Sequence, residues 1–230
     1  MAKKNRKESA ENGRHGKTAT RLSRAKRKRR RARADRGLPP DLTLESLART
    51  YLERQRQHRP ELATAGILPE AKNDAIRGMV DDFKRRHRTG IVKQDDIRPF
   101  VERGLDLAGN YNRFSCDNSS PLSIEDQMVN ALTRANEKNL FVPWSFVFCD
   151  YSVSGLDSSR QGYTSYVRVL RENECLVCTI VDDFTRASRD ELEWWRLAAL
   201  HKRHRKGMLG ASDGFDLSSP DWDVKVTIAG

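Results

Sequence analysis

From Ala108 to Gly230 the sequence alternates short apolar runs of strand length with longer runs whose apolar residues recur at helical spacing. A helix must bury one stripe and a strand one or both faces, so this order predicts an α/β domain with a mainly parallel sheet. Asn110 to Ser115 reads as the end of a first strand. Ile124 to Asn136 carries Met128, Leu132 and Ala135 at helical spacing. Trp144 to Cys149 reads as a second strand, followed by a polar loop from Asp150 to Gly162. Tyr163 to Arg171 is a helix with Tyr166, Val167 and Leu170 on its apolar side. Cys175 to Val181 is nearly all apolar, as in strands covered on both faces. A long helix follows from Ser188 to about Arg205, with Leu192, Trp195, Leu197 and Leu200. Gly207 to Ser212 is a fourth short strand, and Val224 to Ala229 closes the chain.

Charge divides the chain differently. Residues 1–36 hold 16 lysines and arginines against 3 acidic residues, a net of +13, while residues 37–230 carry a net of −2. The excess positive charge therefore lies in a tail that repels itself and is expected to be disordered, with DNA phosphate as its natural partner. Arg24, Lys26, Arg27, Lys28, Arg29, Arg30 and Arg31 are its candidate phosphate-binding residues. Residues 41–107 read as a helical segment of unknown role. Thr43 is a candidate cap for its first helix, whose stripe is Leu44, Leu47, Tyr51 and Leu52. A second helix after Pro69 turns Ile76, Val80 and Phe83 to one side. A third is expected between Asp95 and Leu105, shortened by Pro99. No tight turn joins two of these helices as in a helix-turn-helix, so a collar packed on the following domain is expected. There is no spanning apolar run and no secretory signal, which points to the cytoplasm and to no membrane partner. Cys175 and Cys178 lie within a strand-like run without a second close pair, so buried, reduced thiols are expected and no metal.

In such sheets ligands bind beyond the carboxyl ends of the strands. Three polar segments are expected there: Arg113 with Ser115, the loop from Asp150 to Arg160, and Thr185 to Arg189. They supply a hydroxyl and four arginines, Arg113, Arg160, Arg186 and Arg189. Guanidinium groups can hold the non-bridging oxygens of a phosphodiester while a serine attacks phosphorus. Arg186 and Arg189 would share one face at the start of a helix. No histidine lies between His87 and His201, which leaves a Ser-His-Asp triad without a base. No phosphate-binding G-x₄-G-K-[ST] sequence is present, so ATP is not implicated. Tyr111 and Tyr163 read as packing residues.

The motifs Tyr111-Asn-Arg113-Phe-Ser115, Ser123-Ile-Glu-Asp-Gln127, Phe148-Cys-Asp150-Tyr-Ser-Val-Ser154-Gly155 with Arg160, and Thr185-Arg186-Ala-Ser-Arg189 occur in this order. Over about 120 residues they resemble the resolvase/invertase catalytic domain of serine site-specific recombinases, a three-layer fold. The resemblance implies Ser115 as a nucleophile that forms a 5′-phosphoserine link to double-stranded DNA. It implies Arg113, Arg160, Arg186 and Arg189 as phosphate-binding and activating partners, with Tyr111, Gln127, Asp150 and Ser154 in support. It also implies a homo-oligomer, no cofactor, and a role in strand exchange by a mobile element. In that family a dimerising helix and a DNA-binding region would follow this point. A chain ending at Gly230 is therefore expected to assemble poorly. The alternative expectations are a truncated, inactive recombinase remnant or accessory DNA-binding protein, and a metal-dependent nuclease using Asp150, Asp182 and Asp183.

Overall fold

The structure is a computed structural model and describes residues 37–115, 124–152, 160–183 and 191–224. The expectations for the basic tail and for residues 225–229 lie outside these ranges. Among the described residues four helices come first: α1 (Asp41–His58), α2 (Pro60–Thr64), α3 (Asn73–Thr89) and α4 (Arg98–Val101). Strands and helices then alternate as β1 (Leu107–Ser115), α5 (Ile124–Glu137), β2 (Val147–Ser152), α6 (Gln161–Glu172), β3 (Leu176–Val181), α7 (Glu191–Arg203) and β4 (Gly207–Gly210). The strands form one sheet in the order β2-β1-β3-β4, and all three ladders are parallel.

Alternation along each strand sends side chains to two cores. Ala108, Val147, Cys149, Cys178 and Ile180 face one core. There α5 supplies Met128, Ala131, Leu132 and Ala135, and α1 supplies Leu44, Leu47, Ala48, Tyr51 and Leu52. Leu107, Tyr111, Phe148 and Val181 face the other, against Tyr166, Val169 and Leu170 of α6 and Leu197 and Ala198 of α7. The α/β class with a parallel sheet is thus observed. Each face is covered because each parallel crossover carries its helix across the sheet. Cys149 and Cys178 are buried free thiols, and Cys175 is partly buried. Burial pushes the thiols of Cys149 and Cys178 up to about 12.

The helices of 41–107 pack on this sheet rather than apart from it. Ile76, Val80 and Phe83 of α3 join the same core as α1 and α5. Tyr51 Oη and Gln55 Nε2 both donate to the carbonyl of Val142, at 2.8 and 2.9 Å. The most telling contact is Arg86 of α3, whose side chain is 2 % exposed. Its Nε donates to Asp82 Oδ2 at 2.7 Å. Its two Nη atoms donate to the carbonyls of Trp144, Ser145 and Val147 at 3.0–3.2 Å. Burial pulls this guanidinium below its usual pKa, and Asp82 opposes the shift. At Asp82, burial favours the neutral acid, but Arg86 and Arg85 outweigh it and hold the carboxyl below its usual range.

Three local expectations are corrected. Thr43 does not cap α1, which starts two residues earlier. Its first turn closes through Leu44 N–H to the Pro40 carbonyl at 3.0 Å, without a side-chain cap. Trp144 to Phe146 form a 3₁₀ turn, not a strand, and β2 starts at Val147. The turn follows from its partners: the Trp144 indole donates to Met79 O at 3.0 Å, and the carbonyls of Trp144 and Ser145 turn to Arg86. The third helix is reduced to a 3₁₀ turn at Gln94–Asp96 and one turn at Arg98–Val101, consistent with Pro99 in its first turn.

Candidate active site

The strand order sets where a ligand can sit. β1 leads to β2 on one side, and the chain then crosses to β3 on the other side of β1. The carboxyl ends of β1 and β3 therefore flank the point where the winding reverses, the usual ligand crevice of an open parallel sheet. β1 pairs with β3 only as far as Tyr111↔Val181, but with β2 as far as Ser115↔Ser152. Residues Asn112 to Ser115 thus continue past the last β1–β3 pair. Ser115 is the last residue of β1.

Something must hold that protruding end. Gln127, 2 % exposed on α5, does so. Its Oε1 accepts from Arg113 N–H at 3.1 Å, and its Nε2 donates to the Arg113 carbonyl at 3.0 Å. In a parallel ladder both main-chain groups of one residue point to the same side. At Arg113 that side faces away from β2, where β3 has already ended. One side-chain amide thereby completes the ladder two residues before Ser115.

A second network ties β1, β2 and α6 together. Asp150 lies in β2 and is 1 % exposed. Its Oδ1 accepts from Gly162 N–H at 2.8 Å. Its Oδ2 accepts from Tyr163 N–H at 2.9 Å and from Tyr111 Oη at 3.0 Å. Asp150 therefore caps the N-terminus of α6 from a neighbouring strand, where a carboxylate also meets the positive end of the helix. The approach requires glycine at 162: a Cβ there would lie 2.8 Å from the carbonyl carbon of Cys149 and 2.9 Å from Asp150 Oδ1. Arg160 precedes the same helix. Its Nη2 donates to Tyr111 Oη at 3.1 Å, and its guanidinium lies 4.3 Å from the Tyr163 ring centroid. Burial, with Asp150 adding to it and Arg160 opposing, keeps the Tyr111 phenol well above its usual pKa. Tyr111 is thus a neutral hydroxyl that donates to Asp150 and accepts from Arg160.

At the end of β3, Asp182 braces two other elements. Its Oδ1 accepts from Asn130 of α5 at 2.9 Å and from Ser212 Oγ at 2.5 Å. Its carbonyl accepts from Ser212 N–H at 2.7 Å. Two of the carboxylates that could have served as metal ligands thus engage hydrogen-bond donors: both oxygens of Asp150 and Oδ1 of Asp182.

The structure brings Tyr111, Asp150 and Arg160 into one network and joins Gln127 to Arg113. Ser154, Arg186 and Arg189 lie outside the described residues, and of Ser115 only the strand-end backbone is described. The residue pattern alone reads Tyr111 and Tyr163 as packing, while the family resemblance places Tyr111 in support of the site. Their rings do pack edge-on against each other, at 5.7 Å between centroids, but Tyr111 also bridges the acid and the arginine. Gly162 is not singled out by the sequence motifs. Its signal is its place just after the polar loop, at a strand-to-helix junction where close approach demands glycine. Nor is Asn130, whose contact with Asp182 spans 52 residues of sequence.

Comparison with known proteins bears on this arrangement. The family described as "Resolvase, N terminal domain" matches residues 108–230, just over half of the chain. The chain belongs to the resolvase family. Its matched region is a serine resolvase/invertase catalytic domain, the recombinase superfamily expected from the motifs. No curated protein matches. Among solved structures, the N-terminal catalytic domain of TP901-1 integrase is 21 % identical, with a TM-score of 0.46 over 54 % of this chain and 90 % of that one. A resolvase family site-specific recombinase from Streptococcus pneumoniae is 16 % identical, with a TM-score of 0.44 over 54 % of this chain and 82 % of that one. Among the described residues no helix is long and apolar enough to cross a membrane.

Proposed function

We propose that the chain cleaves and rejoins double-stranded DNA through Ser115, without metal or nucleotide. The Ser115 hydroxyl attacks phosphorus and loses its proton. The P–O3′ bond breaks, and the leaving oxygen gains a proton to become a free 3′-hydroxyl. The 5′-phosphate stays on Ser115 as an ester. The 3′-hydroxyl of a partner strand then attacks that ester, restores a phosphodiester and releases the serine. The number of phosphodiester bonds is conserved, so no ATP is consumed.

Arg113, Arg160, Arg186 and Arg189 hold the phosphate and neutralise charge on its non-bridging oxygens. Tyr111 and Asp150 orient Arg160, Gln127 orients the strand that carries Ser115, and Ser154 supports the β2 side. Strand exchange requires several subunits, so the working form is a homo-oligomer on DNA. The observation that supports this reading most is Arg160. It is held by Tyr111 Oη and the Tyr163 ring, on the α6 junction beside the β1 end that carries Ser115.

The test is the polarity of cut ends on a DNA pool incubated with the protein in EDTA. Protein-blocked 5′ ends and extendable 3′ ends are expected. Free 5′-phosphates, or cleavage only with added Mg²⁺, would overturn the reading in favour of a nuclease.

A further inference from the structure

A cavity of about 380 Å³ lies between the helices of 41–107 and the turn that leads into β2. Its size falls in the ordinary range of small-molecule sites, about 300–1,000 Å³. Trp144 and Ser145 on its wall precede the first residue of β2, whereas Ser115 pairs with the last. The cavity and Ser115 therefore belong to opposite ends of the sheet. Apolar and aromatic side chains make much of the wall, among them Tyr51, Leu68, Met79, Phe100 and Trp144. The Trp144 indole is pinned by its bond to the Met79 carbonyl and packs against Tyr51 at 5.2 Å between ring centroids. One side is a stripe of α3 at helical spacing, Ala75, Gly78, Met79 and Asp82. Gly78 is exposed, and a Cβ on it would meet nothing within 4 Å. Glycine weakens a helix interior, and no close neighbour demands one here. Its effect is to leave the rim of the cavity clear.

The charged side chains on the wall are both acids. Asp82 and Asp96 line the cavity, and no lysine, arginine or histidine does. Asp82 is already engaged, by Arg85 at Oδ1 and by Arg86 at Oδ2. Asp96 is less so. Arg85 comes within 3.5 Å of its Oδ2, yet that buried oxygen accepts no hydrogen bond from any described residue. Ser145, also on the wall, is 4 % exposed, and its Oγ likewise has no hydrogen-bond partner among the described residues. Buried polar atoms left in this state cost free energy, which a donor on a ligand would recover. The charges of Asp82, Asp96, Arg85 and Arg86 sum to zero, but only the acids reach the wall. A cation is favoured there on two grounds, the carboxylate of Asp96 and the aromatic rings around it.

We propose that this cavity binds a small organic ammonium ion with an aromatic body. Tyr51, Phe100 and Trp144 hold the body, the ammonium group is directed to Asp96, and Ser145 Oγ offers a further acceptor. Such a ligand joins α1 and α3 to the turn before β2 and stabilises the folded state in proportion to its occupancy. Binding requires neither Ser115 nor DNA, so it stands apart from the proposed function.

Tryptamine and indole-3-propionate share an aromatic body and differ in the charge at its end, so comparing them isolates the ammonium group. The full chain carries +11, so undirected attraction favours the anion. In titration calorimetry of the full chain, tryptamine should bind saturably and roughly tenfold more tightly than indole-3-propionate. Asp96→Asn keeps the shape of the side chain and should remove most of that preference. Gly78→Leu places a side chain at the rim and should weaken tryptamine roughly tenfold, with no fall in its own Tm because the added Cβ meets no atom. Spectra of isotope-labelled methionine methyl groups locate the bound molecule. Its ring current should move the Met79 methyl and leave those of Met128 and Met208, buried in the two cores, in place. Any of four results would overturn the proposal: no saturable tryptamine binding, equal or tighter binding of the carboxylate, a preference unchanged in Asp96→Asn, or an unmoved Met79 methyl. Undiminished tryptamine binding by a folded Gly78→Leu protein would do the same.

Discussion

Replacing Gln127 by glutamate changes one atom of the brace behind Ser115, and its cost can be worked from the geometry. The native amide offers one acceptor and one donor to Arg113, at 3.1 and 3.0 Å, from a side chain that is 2 % exposed. An ionised carboxylate in its place keeps the acceptor but turns a second oxygen toward the Arg113 carbonyl. One hydrogen bond is lost, a buried carbonyl goes unsatisfied, and a carboxylate is desolvated. The first two effects together cost about 2–3 kcal/mol, and the third drives the group to bind a proton instead. In a protein of this size that corresponds to a fall in Tm of roughly 5–10 °C at pH 7.5. The protonated acid restores both roles, since its hydroxyl donates and its carbonyl oxygen accepts. The folded-state pKa of the introduced acid therefore rises above the unfolded value. The penalty is full above the folded pKa, shrinks as pH falls, and vanishes below the ordinary carboxylate range. Urea midpoints of wild type and Gln127→Glu, compared at pH 7.5 and near pH 4, measure the gap, and other titrations cancel in the difference. A gap below ~0.5 kcal/mol at pH 7.5, or one that does not close on acidification, would refute the idea that this amide braces the strand.

Other outcomes follow from the same structure. Arg86→Met should destabilise by about 3–5 kcal/mol, because Asp82 loses its buried partner and three carbonyls lose a donor; chemical denaturation measures it. Gly162→Ala should unfold the α6 junction or lower stability by more than about 2 kcal/mol, since the added carbon meets the Cys149 main chain. His201 is buried, with Nδ1 donating to the Leu197 carbonyl at 2.8 Å and Nε2 accepting from Thr179 at 2.7 Å. Burial lowers its pKa from 6.5 to about 4, so the folded state binds fewer protons than the unfolded one between those values. Stability from this group is full above pH 6.5, falls by about 3 kcal/mol as pH drops to 4, and His201→Gln should flatten that limb in urea titrations. Tyr111→Phe removes the hydroxyl between Asp150 and Arg160; it should cost about 1–2 kcal/mol of stability and lower the rate of DNA adduct formation more than DNA affinity, both measurable on the same preparation.

Much of this architecture is legible because burial leaves a pattern in sequence. Apart from the exposed Val177, Leu176 to Val181 is buried and reads as a nearly unbroken apolar run interrupted at Thr179, while α5 shows its single stripe through Met128, Leu132 and Ala135. The errors fall where distant partners decide local shape. Trp144 to Phe146 has strand composition but turns, because Arg86, some 58 residues earlier, claims the carbonyls of Trp144 and Ser145. No window of local sequence contains that information. Asp150 looks like the start of a loop because a charged residue ends an apolar run. It is strand, and its charge is tolerated because three donors from β1 and α6 converge on it. Arg113 and Arg160 are identified by motif, whereas the means of holding them, one amide from α5 and one phenol from β1, require the parallel register to become visible.

The central claim is that Ser115 becomes covalently bonded to DNA. The most direct measurement is mass spectrometry of protein trapped in EDTA on nicked duplexes, digested with protease and nuclease. The account predicts a nucleotide joined through its 5′-phosphate to the peptide that contains Ser115, lost in Ser115→Ala and reduced in Arg160→Ala. A phosphonucleotide on another residue, or an adduct that survives Ser115→Ala, would contradict it.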